Sequence, residues 1–142
     1  MNLGQTFRIK VKAYNTAGEI ESPILGVVLA SLPLEPPAPS KVAAYSSHLQ
    51  ITVDFSDFPE SSNGGCEISS FEVQKDNGQG GSFVSIAGYS LPYLITTITT
   101  TDVQKGRTYR FRYRAQNCHG WGPFSPQLFA IAASPPASPS AL

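Results

Sequence analysis

Charge is what this chain most lacks. Only 14% of its 142 residues are Asp, Glu, Lys or Arg, against roughly 25% in an average globular domain. The 10 basic and 10 acidic residues cancel, so no overall field draws in nucleic acid or an anionic membrane. Cysteine is scarce too. Cys66, Cys118 and the nearby His119 lack the paired ligand spacing that zinc needs. No apolar run approaches the ~20 residues of a membrane helix. Arg8, Lys10 and Lys12 alternate with apolar residues near the start, a strand pattern and not a secretory leader. Phosphate loops, paired-carboxylate motifs and calcium loops are missing. His48 and His119 have no catalytic team beside them, and scattered Ser, Asp and His do not make a triad. The expectation is therefore a protein that is not an enzyme and takes no cofactor. There is no Asn-x-Ser/Thr acceptor for an N-linked glycan.

In place of charge stand Ser, Thr, Gly and Pro, a composition suited to a turn-rich all-β protein. Residues 7–14 alternate, with Phe7, Ile9, Val11 and Ala13 on one face and Arg8, Lys10 and Lys12 on the other. This predicts a half-buried strand. A turn at 15–18 and a second strand at 24–30 follow. Residues 32–40 hold four prolines and read as an extended linker. Seven strands are predicted beyond it, at 42–45, 49–55, 68–75, 83–87, 93–100, 107–116 and 127–132. Gly- and Pro-rich breakers separate them at the spacing of a β-sandwich.

The chain also repeats itself. Residues 4–18 and 106–120 keep Gly, Thr, Arg, Ala, Asn and Gly in register at an offset of 102 (106 − 4 and 120 − 18). The proline-rich stretch at 36–42 is echoed at 135–142. A period the size of one small β-domain marks a tandem array. The residues carrying the pattern are Val103, Gly106, Thr108, Tyr109, Phe111, Tyr113, Ala115, Asn117, Gly120, Gly122 and Ser125, supported by Pro36-Pro37, Val53, Phe55, Ile68, Phe71 and Val73. In that arrangement they resemble the fibronectin type III domain, specifically its E–F corner, strand F and F–G loop.

The resemblance implies an all-β, immunoglobulin-like sandwich of seven antiparallel strands, set in a tandem array. Residues 1–31 would be strands F and G of a preceding repeat, 32–40 a linker, 41–133 one complete domain, and 134–142 a linker into a following repeat. Tyr109 would be the corner tyrosine, its hydroxyl reaching back to main chain. Phe55, Phe71, Phe111 and Tyr113 would join it as core residues. Phe55 stands where the family commonly carries a tryptophan. Phe7 stands where the first copy should have its corner tyrosine. There is no Arg-Gly-Asp sequence, so an integrin-binding loop does not carry over.

The same resemblance puts Cys66 at the opening of strand C and Cys118 at the close of strand F, neighbours in one sheet. A bridge across those 52 positions would stabilise the domain by about 4 kcal/mol on the chain-entropy model, and would imply an oxidising compartment. Two unbonded thiols remain the alternative. Arg110, Arg112 and Arg114 form a row on the outer face of strand F. The row reads either as a docking stripe for an acidic glycan or another chain, or as a solvated face stacking on Trp121 and pairing with Glu72. His119 and Trp121 lie in the F–G loop, either as a recognition surface or with Trp121 folded back on the sheet. Strands F and G cannot fold alone, so neighbouring repeats or subunits must complete residues 1–31.

The expected function is that of a structural and adhesion repeat, extracellular or at the cell surface, with fibre formation by strand addition left open. The alternatives are a receptor ectodomain using its F–G loop, an accessory repeat of a secreted enzyme, and an intracellular array. Other surface proteins and glycans are the candidate partners.

Overall fold

A computed structural model of the chain describes residues 2–137, 139 and 140. The echo of the linker expected at 134–142 therefore falls partly outside the described residues.

The first part is one long hairpin. Strands β1 (Thr6–Ile9) and β2 (Lys12–Asn15) run up it, and β3 (Gly18–Glu21) and β4 (Leu25–Val28) run back. β1 pairs with β4 and β2 with β3, both antiparallel. The single strand expected at 7–14 is split at Lys10–Val11 because Pro23 opposite has no N–H to give. Ser22 takes over there: its hydroxyl accepts the Val11 N–H at 2.9 Å, and its own N–H donates to the Val11 carbonyl at 2.8 Å. The turn is closed by Asn15, whose Oδ1 accepts the N–H groups of Ala17 and Gly18. No other layer covers this hairpin among the described residues. Phe7, Ile9, Leu25 and Val27 are 38%, 51%, 62% and 41% exposed.

The rest is a two-layer sandwich. One layer is β5 (Ser40–Lys41), β6 (Ile51–Asp54) and β9 (Thr97–Thr100), in the order β5-β6-β9. The other holds β7 (Ser70–Lys75), β8 (Val84–Ala87), β10 (Thr108–Asn117), β11 (Gly120–Trp121) and β12 (Leu128–Ile131). Its order is β11-β10-β7-β8, with β12 also on β10. Strand β10 keeps period two along its length: Tyr109, Phe111, Tyr113, Ala115 and Asn117 are buried and Arg110, Arg112 and Arg114 half-buried. Its inner face meets Ile51 and Val53 of the opposite layer, with Ala130 and Ala132 closing one end of the core. Phe55, Phe71, Val73 and Tyr113 fill the other.

Two expectations are corrected. The strand predicted at 42–45 is a 3-10 turn, Ala43–Tyr45, following the short β5. The Ser46 hydroxyl donates to the Val42 carbonyl at 2.7 Å and accepts the Thr52 N–H at 3.0 Å, so a side chain closes a turn where a ladder would have run. The strand predicted from residue 93 starts at Thr97. Tyr93 instead receives the Phe71 N–H on its carbonyl and gives its own N–H to the Ser70 hydroxyl.

The stretch at 32–40 is extended, yet it does not stand free. Pro33, Pro36 and Pro39 are buried while the residues between them are exposed. That is the three-residue period of a polyproline II helix lying along a surface.

Candidate functional site

Strand β10 faces β7 in a register that sets Arg114 opposite Glu72 and Arg112 opposite Gln74. The Arg114 guanidinium holds Glu72 at 2.6 Å, and Arg112 Nε donates to Gln74 Oε1 at 2.9 Å. Arg110 Nε donates to Asp76 Oδ2 at 2.8 Å, and its Nη2 to the Gly81 carbonyl at 2.6 Å. Aromatic rings fill the gaps between the guanidinium planes. Arg114 lies 4.9 Å from the Trp121 centroid and 4.4 Å from that of Phe124. Arg112 lies 4.0 Å from Phe124 and 4.1 Å from Phe83, and Arg110 4.9 Å from Phe83. The result is an alternating ladder, Trp121–Arg114–Phe124–Arg112–Phe83–Arg110. Tyr89 stacks on its outer end at 6.5 Å from Trp121.

Three guanidinium groups against two carboxylates leave one net positive charge on the row. Burial pushes Asp76 up, but the Arg110 N–H, the Arg110 side chain and the Gly78 N–H more than offset it, so the carboxyl sits below its ordinary value. The stability this gives is present above the ordinary carboxylate range and is lost as pH falls through the depressed value. Arg112, facing a neutral amide, is lowered by burial; Glu72 opposes that and its two Arg neighbours add to it.

Tyr109 is buried, and the Gln104 N–H donates to its hydroxyl at 2.7 Å. Phe55, Phe71 and Tyr113 pack as one aromatic cluster, with Phe58 against Phe71. Phe111 lies in the adjoining cluster with Tyr109. The Tyr113 hydroxyl is the buried side-chain polar atom that finds no partner among the described residues. Cys66 and Cys118 are joined in a disulfide, with Cα atoms 6.1 Å apart. His119 is exposed at the loop tip. His48 is half-buried, and its Nδ1 lies 2.7 Å from the Ser134 hydroxyl. No group of three or more His, Cys, Asp or Glu placed to hold a metal occurs among the described residues. No helix there is long and apolar enough to cross a membrane.

No family model matches this sequence. Solved structures do. Domains A168-A170 from titin superpose with a TM-score of 0.71 at 20% identity, covering 88% of this chain and 40% of that one. The solution structure of a fourth FNIII domain from human gives 0.63 at 19% identity, covering 79% of this chain and 88% of that one. The twitchin kinase region from C. elegans gives 0.55 at 20% identity, covering 70% of this chain and 17% of that one. The fold is fibronectin type III-like.

In the terms of that fold, β7 is strand C, β10 is strand F, and β12 with β11 forms strand G and its lead-in. The sequence reading placed Arg110, Arg112, Arg114, Trp121 and Glu72 on this face. It missed Phe83, Phe124, Gln74 and Asp76. The signal was available: Glu72, Gln74 and Asp76 alternate along strand C in step with the arginines they face. Lys75 was missed as well. It points inward at 6% exposure, bonds the Asp102 carbonyl, pairs with the Asp102 carboxylate at 3.2 Å and lies over the Tyr109 ring.

Proposed function

We propose that the chain is a non-enzymatic structural repeat of a tandem fibronectin type III-like array, extracellular or at the cell surface, with a role in adhesion. The observation that carries this reading is the second F–G hairpin. Offset by 102 residues, Thr6–Asn15 falls on Thr108–Asn117, and the pair Asn15–Gly18 falls on Asn117–Gly120. The hairpin's bonds recur as well: Gly4 N–H to the Leu29 carbonyl, Leu29 N–H to that of Gln5, then Gly106 N–H to Ala132 and Ala132 N–H to Arg107. In the complete copy this face is covered by the β5-β6-β9 layer; in the first it is open.

The partner of residues 1–31 is therefore a set of strands of that type, supplied by the preceding repeat. The disulfide supports an oxidising compartment. The arginine row spends its donors on Glu72, Gln74, Asp76 and Gly81, which supports a structural role for the ladder over glycan docking. Heparin retention at physiological salt would overturn that reading of the row.

The test of the whole is hydrogen exchange on the 142-residue chain and on a longer chain carrying the residues encoded upstream. The amides of β1 and β4 are expected to exchange fast in the first and to gain protection in the second. Full protection in the 142-residue monomer would contradict the proposal.

A further inference from the structure

The B–C and F–G loops meet at one end of the sandwich, and the chain enters the domain across them. The Ser31 N–H donates to the Gly64 carbonyl at 2.8 Å, and the Leu34 N–H to that of Ser62 at 2.9 Å. Asn117, 4% exposed, donates through Nδ2 to the Ser31 carbonyl at 2.7 Å and to the Asn63 carbonyl at 2.8 Å. One amide thus ties strand F, the B–C loop and the incoming chain. Its Oδ1 accepts the His119 and Gly120 N–H groups, closing the F–G turn as Asn15 closes the first. Gly64 and Gly65 have φ of 75° and 83°, the left-handed region that favours glycine. A Cβ on Gly64 would come within 2.8 Å of the Leu32 carbonyl oxygen; one on Gly65 would come within 2.7 Å of the Leu3 Cβ. The Leu3-Gly4 turn of the preceding hairpin rests directly on Gly65, and the Ser31-Leu32 main chain on Gly64.

The disulfide stands in the wall of the same place. Cys66 follows Gly65 and Cys118 follows Asn117, so the bridge ties the two loops that grip the incoming chain. The opposite pole carries the matching piece. Gly106 is the counterpart of Gly4 at the 102-residue offset, and a Cβ there meets nothing within 4 Å.

We infer that the Gly64–Gly65/Asn117 end is a disulfide-braced socket that holds the E–F turn and linker of the repeat before it, setting its direction, and that a dithiol reductant loosens it. This rests on the tandem-repeat reading above. Two electrons and two protons from the dithiol break the S–S bond, leaving Cys66 and Cys118 as thiols and the reductant as its cyclic disulfide. Cys118 is exposed, which gives the reductant access. The brace belongs to this joint: the preceding copy has Thr16 at the equivalent of Cys118 and cannot form it.

Amide exchange followed by NMR on the full chain tests this. In the oxidised protein Ser31 and Leu34 are protected. After treatment with dithiothreitol their exchange rises roughly tenfold or more while Val73 and Tyr113 in the core stay protected. Asn117→Asp keeps the acceptor that closes the turn and removes the donor to Ser31. It is expected to raise Ser31 exchange by a similar factor with the disulfide intact. The socket is overturned if Ser31 and Leu34 are unprotected in the oxidised chain, or if reduction moves them only in step with the core. It is equally overturned if neither reduction nor Asn117→Asp moves them. These outcomes read Ser31 and Leu34, whereas the tandem-repeat reading stands or falls on the amides of β1 and β4.

Discussion

The two F–G hairpins have nearly the same local geometry and opposite surroundings. Both turn on an Asn side chain and hold the same cross-strand pairs at the tip. They differ by one residue in the return: Phe7 pairs with Val27, whereas Tyr109, 102 positions on, pairs with Ala130, 103 on. They also differ in how charge is met. Lys10 and Lys12 pair with Glu21 and Glu19 inside their own hairpin, on exposed side chains, where such pairs contribute about 0–1 kcal/mol. Arg110 and Arg114 reach across to Asp76 and Glu72 of strand C, both almost fully buried. Hairpin shape is thus written locally in some 25 residues, while burial, the larger source of stability, is supplied by strands far away in sequence.

The largest break in this comparison comes from Phe111, fully buried, and Ile9, its exposed equivalent. Phe111→Ala is expected to cost about 3–5 kcal/mol by urea unfolding of the sandwich. Ile9→Ala is expected to leave that transition within ~0.5 kcal/mol. Replacing both cysteines by serine should lower stability by about 4 kcal/mol, the copy with Thr16 at the equivalent of Cys118 having no such brace; mass spectrometry without reductant checks the bond itself, and two alkylatable thiols in the native protein would contradict it. Tyr109→Phe makes the second corner like the first, which has Phe7 at the equivalent position, removes the hydroxyl that accepts the Gln104 N–H, and should cost about 1–2 kcal/mol.

A smaller effect appears only in acid. Wild-type stability should fall as pH drops through the depressed Asp76 value, and Asp76→Asn should flatten that limb of a melting-temperature profile. Smallest of all, Tyr113→Phe removes a buried hydroxyl that has no partner among the described residues and should be neutral or stabilise by up to ~1 kcal/mol. Burial, with Asp57 and Asp54 adding to it, pushes Tyr113 up to about 12. The stability tied to its neutral form is complete below the ordinary tyrosine value and is lost as pH rises through about 12. Tyr113→Phe should therefore also weaken the alkaline limb.

The inner face of strand F was legible because period two leaves no other assignment for Tyr109, Phe111, Tyr113 and Ala115 beside three arginines. The resemblance set strands C and F side by side, which made a Cys66–Cys118 bridge and a Glu72 partner for the arginines available while leaving unbonded thiols and a docking stripe as alternatives. What stayed hidden depends on contacts that no local pattern carries. Ser46 converts a predicted strand into a turn through bonds to Val42 and Thr52. Lys75 looks like an outward residue until the Asp102 carbonyl receives it. His48 meets Ser134 across 86 positions. The prolines at 33, 36 and 39 did carry a visible spacing of three, but only the adjacent sandwich turns that spacing into burial.

The chain contains a single tryptophan, Trp121. It lies between the Tyr89 ring and the Arg114 guanidinium, three positions from Cys118. Its intrinsic fluorescence is therefore a label-free gauge placed where the cation ladder and the sulfur bridge come together. Opening of either one should register in the emission before the rest of the sandwich melts.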